Sequence, residues 1–347
     1  MAERAHPTPQ RRWAPLLTTA LVIAHLTLAL AVWGMFRLLA DRWWPATVLL
    51  FMPRWIYLLP FAVTLPAALL FRPRLLTPIA ATALIVLLPI MGVRLSLPHA
   101  HAAHPASGVL RVMTYNIGGG RPEPARLTQL LAELDPHVAA LQECNNAIDE
   151  AALRARGYHV HVWKSQCLIS RYPIRKVDPR DPTDVWRRGG SGAIIRYQIE
   201  TPTGPLDLLN LHLETVREGL SALLDHGAGG IGELRQNIRE RAFESRLARA
   251  WTERAEAPLL IAGDFNMPTD SAIYRHYWSS FTNVFSAIGA GRGESKFTSI
   301  YGIRIDHLLV SPRWPGWQLL DCWVETDRHI GHDHRPVIAE LKPPPHG

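Results

Sequence analysis

The sequence predicts an α/β domain of short buried strands behind an N-terminal region of about three membrane-crossing helices. Three observations predict it. Residues 1–97 hold three long apolar stretches almost free of formal charge. From Gly108 onward, short apolar runs bounded by Gly, Pro, Asn and Asp alternate with segments of helical spacing. These runs repeatedly end in an Asp, Glu, Asn or His, which strands meeting along one sheet edge would gather into a pocket.

The apolar third comes first. Ala14 to Phe36 carries no formal charge and has the length of a bilayer-spanning helix. A secretory signal would have a shorter apolar core followed by a small-x-small cleavage site; the Arg11-Arg12 pair is read as a cytoplasmic flank. A second helix is expected over 45–71, broken by Pro53-Arg54 with its clean part over 55–71, and a third over 75–93. Trp43, Trp44, Trp55 and Tyr57 read as interfacial aromatics. Arg54 and the prolines also leave a re-entrant second segment open. His25, inside the first helix, is read as packed against a neighbour.

Charge is uneven. Residues 1–104 carry nine arginines against Glu3 and Asp41, so the whole net charge of +7 lies there and the remainder balances to zero. A neutral C-terminal domain weakens a duplex-DNA reading, which wants a basic face. Arginines at 4, 11, 12, 72 and 74 put the N-terminus in the cytoplasm and, with three crossings, the C-terminal domain outside it; two crossings would invert that. The expectation is a multi-pass protein of the cell (inner) membrane, with the bilayer as partner and no protein partner inferred. Residues 98–107 read as a His- and Pro-bearing linker. Cys144, Cys167 and Cys322 fit no zinc spacing; each reads as a buried small side chain, with one oxidised pair open.

Residues 108–343 read as one domain of short strands and helices. Val109 to Tyr115 reads as a strand ending at Asn116, and Val138 to Gln142 as a second, delivering Glu143. Ala125 to Leu134 has helical spacing between them. Ala193 to Ile199 and Leu206 to Leu213 flank a Thr-Pro-Thr-Gly turn as a hairpin, whose second strand carries Asn210 and His212. Glu233 to Arg254 reads as a basic amphipathic helix. Leu259 to Ala262 is a buried strand opening into Gly-Asp-Phe-Asn, where alternation puts Asp264 and Asn266 on one face and Phe265 on the other. Asp306 stands near the start of a further strand, and Asp333 and His334 precede the last one. Four carboxylates gathered at one edge repel, and a divalent cation resolves that. Oxygen ligation without a cysteine cluster favours Mg2+ or Mn2+.

Seven blocks in this order resemble the endonuclease/exonuclease/phosphatase superfamily with its deoxyribonuclease I-like fold: TYNI at 114–117, LQE at 141–143, SRYPI at 170–174, NLHLE at 210–214, GDFN at 263–266, IDHLLVS at 305–311 and HDHRPV at 332–337. The membrane segment resembles that of bacterial multi-pass members. The resemblance implies a two-sheet α/β sandwich and metal-dependent phosphoester hydrolysis. It implies Glu143 as the main metal ligand with Asn116 beside it, Asp333 as a further metal or water contact, and Asp264 as the residue orienting or deprotonating water. Asn266 would fix the phosphate and that water, His334 would bind phosphate or move a proton with Asp306 as its partner, and His212 would serve the phosphate or the leaving oxygen. The base remains open between Asp264 and His334. Asn210, and more weakly Arg187 and Arg188, are candidate phosphate contacts. His332 departs from the small Ser of many members.

The expected activity is phosphodiester hydrolysis on a membrane-associated or extracytoplasmic substrate. A Mg2+-dependent endo- or exonuclease is the alternative, and a catalytically silent binding module of the same fold a further one.

Overall fold

The computed structural model describes residues 10–96, 104–118, 123–144, 147–331 and 333–344. Two compact units divide at Val93 and Arg94.

The first unit contains three helical stretches long and apolar enough to cross a membrane: Trp13–Leu38, Arg54–Phe71 and Pro73–Ile90. The segment expected as one helix over 45–71 is interrupted. Trp44–Phe51 ends at Met52, whose backbone is extended, because a residue before proline avoids the helical region and Pro53 has no N–H to offer. A 3-10 turn, Arg54–Leu58, then leads into the helix Phe61–Phe71. Arg54 is partnered inside the unit: it donates to the Ile90 carbonyl at 2.7 Å and lies 5.3 Å from the Phe36 ring centroid. His25 is buried, 3.3 Å from the Thr64 hydroxyl and edge-on to Phe61.

The second unit is a sandwich of two six-stranded sheets. One runs in the order Gln318–Val324, Val337–Lys342, Leu110–Asn116, Val138–Gln142, Gln166–Ser170, His159–Trp163; the other Thr282–Asn283, Asp306–Val310, Leu259–Asp264, Gly204–His212, Ala193–Thr201, Ile174–Pro179. Each sheet has one parallel pair, Leu110–Asn116 with Val138–Gln142 and Gly204–His212 with Leu259–Asp264. Parallel neighbours need a crossover, and the helices Pro124–Leu134 and Ile231–Trp251 lie within those two connections.

Alternation explains the layers. Val112, Val138, Ala140 and Leu168 of the first sheet meet Tyr197, Leu208, Leu260 and Leu308 of the second in one buried core. Met113, Tyr115, Ala139 and Leu141 point the other way, under Leu127, Leu130 and Leu131 of the first crossover helix. Leu209, Leu211, Leu259 and Ile261 pack outward with Ala248 of the second. Strands covered on both faces read as continuous apolar runs rather than alternating ones, which is why the sequence shows them so plainly.

Register then sets the site. Asn116 lies opposite Gln142, His212 opposite Asp264, and Asp264 opposite Asp306. Cys144 and Cys167 form a disulfide, and Cys322 is buried and free.

Candidate active site

At the strand ends, Asn116 is the joint of the cluster. Its Nδ2 donates to Glu143 Oε1 and to Asp264 Oδ2, both at 3.0 Å, while its Oδ1 accepts from the Gly118 amide at 2.8 Å. Glu143, just past Val138–Gln142, takes a positive φ of 53°, which turns the chain sharply out of the strand and leaves the side chain partly exposed. Asp264 closes its strand and is almost fully buried. Gly263 before it lets that strand lie against its parallel neighbour, since a Cβ there would collide with the Leu211 carbonyl. His212 Nε2 lies 3.8 Å from both Glu143 Oε1 and Asp264 Oδ2.

The second half is a histidine held from behind. His334 Nδ1 lies 2.9 Å from Asp306 Oδ2, which also accepts from the Ser295 hydroxyl at 2.6 Å. Its Nε2 is 3.7 Å from Asp264 Oδ2. Burial works against a charged imidazole here, but Asp306 through charge and hydrogen bond, then Asp264, outweigh it and hold His334 above the ordinary histidine range. Lys296 pulls the other way: its Nζ stands 2.8 Å from Nε2 and 2.7 Å from Asp333 Oδ2. Asp333 is held below the ordinary carboxylate range, the Lys296 contact overriding the opposing effect of burial.

The structure thus brings Asn116, Glu143, His212, Asp264, Asp306, Asp333 and His334 together. Asn266 is placed differently from the alternation argument. The strand ends at Asp264, Asn266 takes a positive φ of 52°, its backbone N–H returns to Asp264 Oδ1 at 2.8 Å, and its side-chain amide donates to the Leu213 carbonyl at 2.8 Å. It braces Asp264 rather than standing beside it on the strand face. Asn210 lies deeper: fully buried between the sheets, it accepts from Gln142 at 2.8 Å and donates to the Leu141 and Cys167 carbonyls at 3.2 Å. These bonds tie the sheets and leave it no part in holding phosphate. Arg188 stacks on Phe243 at 4.2 Å and Arg187 is exposed after a short helix; neither contacts the cluster among the described residues. His332 lies outside the described residues.

Sequence reasoning missed Lys296, which lies on the two-residue strand Lys296–Phe297 with no pattern to mark it. Glu244 was missed too. On a helix read as a basic amphipathic one, it is buried and accepts from the Gly192 amide at 3.2 Å and the Glu214 amide at 2.6 Å. Burial, and then the charge of Glu214, push its carboxyl up to about 8.

The donors suit a hard divalent cation. Glu143 and Asp264 converge on one amide nitrogen, with Asp306 and Asp333 near and no thiolate in the cluster. Ligand atoms of Asp264, Asp306 and His334 fall within 4.8 Å of one another.

Residues 113–328 match the family model described as the Endonuclease/Exonuclease/phosphatase family. No curated protein matches the chain. Among solved structures, D. rerio TDP2 humanized by 14 mutations is 16% identical with a TM-score of 0.52, covering 68% of this chain and 99% of its own. D. rerio TDP2 complexed with single-strand DNA product is 15% identical with a TM-score of 0.51, at 68% and 99% coverage. An AP endonuclease from Archaeoglobus fulgidus is 17% identical with a TM-score of 0.50, at 66% and 98% coverage. These likenesses concern the fold, a deoxyribonuclease I-like sandwich. With the family model covering most of the chain, and the site built at the strand ends, the protein belongs to the endonuclease/exonuclease/phosphatase family of phosphoester hydrolases.

Proposed function

We propose that the protein is a membrane-anchored, divalent-metal-dependent phosphodiesterase whose substrate is membrane-associated or extracytoplasmic. The observation that carries the chemistry is the Asn116 amide held between Glu143 and Asp264, with His212 facing both carboxylates.

Glu143 and Asn116 would hold the cation, with Asp333 at its margin. Bound there, it would supply Lewis-acid stabilisation of the phosphoryl oxygens and a more acidic water. Asp264 orients the attacking water and draws its proton, since His334 Nε2 already faces the Lys296 ammonium at 2.8 Å. Asn266 steadies Asp264 through its backbone N–H. His212, the partly open imidazole of the pair, donates to the phosphate or to the leaving oxygen. Asp306 keeps the His334 ring oriented from Nδ1.

Three membrane-capable helices support anchoring, in the inner membrane of a bacterial cell. The Cys144–Cys167 bridge supports an oxidising compartment for the catalytic domain, in line with the arginine distribution. A neutral catalytic domain suits lipid head groups or envelope phosphodiesters better than duplex DNA. The nuclease reading is favoured by two comparisons, the TDP2 structure complexed with single-strand DNA product and the AP endonuclease.

The test is hydrolysis by the full chain in detergent micelles of supercoiled plasmid, single-stranded DNA, a phosphodiester lipid and an aryl phosphodiester, with Mg2+ and with chelator. Lipid or aryl cleavage with both DNAs intact is the expected result. Mg2+-dependent cutting of DNA with the lipid untouched would replace this reading with the nuclease.

A further inference from the structure

We propose that Lys296 is a phosphate-binding residue of this site, its ammonium donating to a non-bridging oxygen of the substrate. The proposal rests on the hydrolase reading above and adds to it a cation that no motif supplies.

Its backbone is placed by register. The Arg335 amide donates to the Ser295 carbonyl at 2.7 Å and the Phe297 amide to the Asp333 carbonyl at 2.6 Å, so Lys296 and His334 face each other as an antiparallel bridge. The same segment sends the Ser295 hydroxyl to Asp306, which carries His334 from the far side. Histidine and lysine therefore hold a common position, set by main-chain bonds rather than by side-chain reach.

Surface lysines normally keep the ammonium in water. This side chain is only 18% exposed, with its head turned into the cluster. An ammonium has three donors and no acceptor. One goes to Asp333 Oδ2 and one to His334 Nε2, and the third has no protein acceptor among the described residues. The 2.8 Å separation of Nζ and Nε2 leaves room for a single proton between them. Lys296 is a positive donor on this side of the site, held by Asp333. An oxyanion seated beside His334 is within reach of its third N–H, and Arg217, 3.8 Å from Asp333, adds charge of the same sign. Asp333 acts here as the group that fixes the ammonium.

The experiment measures binding of inorganic phosphate to the full chain in detergent micelles by calorimetry, with Mg2+ present, for the parent, Lys296→Met and Lys296→Gln. Thermal unfolding checks folding, and hydrolysis of an aryl phosphodiester is followed in parallel. Loss of one charge-assisted hydrogen bond should weaken phosphate binding by about tenfold to a hundredfold in both variants, with the half-saturating Mg2+ concentration unchanged. Lys296→Gln, which keeps a neutral donor to Asp333, decides should the methionine variant not fold. Unchanged phosphate affinity, or a defect confined to the Mg2+ requirement, would overturn the proposal while leaving the hydrolase reading intact. A parent that binds phosphate through Lys296 but hydrolyses nothing would sink the hydrolase reading alone. A parent that binds no phosphate would sink the proposal, and the hydrolase reading with it only if the aryl phosphodiester is also left uncut.

Discussion

Asn116 Nδ2 lies 3.0 Å from Asp264 Oδ2, a hydrogen bond that crosses from one sheet to the other where their strands end. The same nitrogen serves Glu143. Asn116→Leu keeps the approximate volume and removes the neutral donor that lies between these two carboxylates. Activity should fall by about a hundredfold or more, while stability falls by only about 1–3 kcal/mol. Steady-state kinetics and urea unfolding of the variant check this; a near-parental kcat/KM would remove Asn116 from the site's machinery.

Much of this site is legible in the sequence because its residues sit where buried strands stop. Asn116, Glu143, His212 and Asp264 each follow an apolar run covered on both faces, so the polar residue that breaks the run is conspicuous. Asn210 misleads for the same reason. It shares a strand face with His212 but lies one step deeper, where its bonds are spent between the sheets. Lys296 is invisible because its place depends on pairing across a long sequence gap, not on its neighbours. The helix Ile231–Trp251 hides Glu244 among exposed charges. Only Gly190 and Gly192, whose Cβ atoms would collide with its carboxyl, allow the chain to close over it. In the N-terminal unit, Pro53 marks a break that hydropathy alone would smooth over.

The disulfide follows directly on Glu143. It ties the turn that carries Glu143 to the strand Gln166–Ser170. Thiol titration of the unfolded, unreduced protein should find one reactive cysteine, Cys322, and three after reduction. For a loop with a sequence separation of 23 residues, reduction should cost about 3 kcal/mol of stability. Three thiols in the protein as isolated would contradict the pairing.

Glu244 makes stability depend on pH. Its carboxyl titrates at about 8 when folded against 4.5 in the ordinary state, so between those values the folded protein holds a proton that the unfolded chain lacks. The associated stability is complete below pH about 4.5 and is lost as pH rises through about 8. Tm should therefore fall from pH 6 to pH 9, and Glu244→Gln should flatten that fall. Parallel Tm curves for the two proteins would show that Glu244 is not the group responsible.

The central claim is that Glu143 and its neighbours hydrolyse phosphoesters with a divalent cation. The most direct test is hydrolysis of an aryl phosphodiester by the full chain and by Glu143→Gln, each titrated with Mg2+ after chelator treatment. The account predicts that the parent is inactive with chelator and recovers with Mg2+. The variant, folded by thermal unfolding, should lose activity by a factor of about 100 or more at any Mg2+ concentration. Equal rates for parent and variant, or parental hydrolysis that persists in chelator, would contradict it.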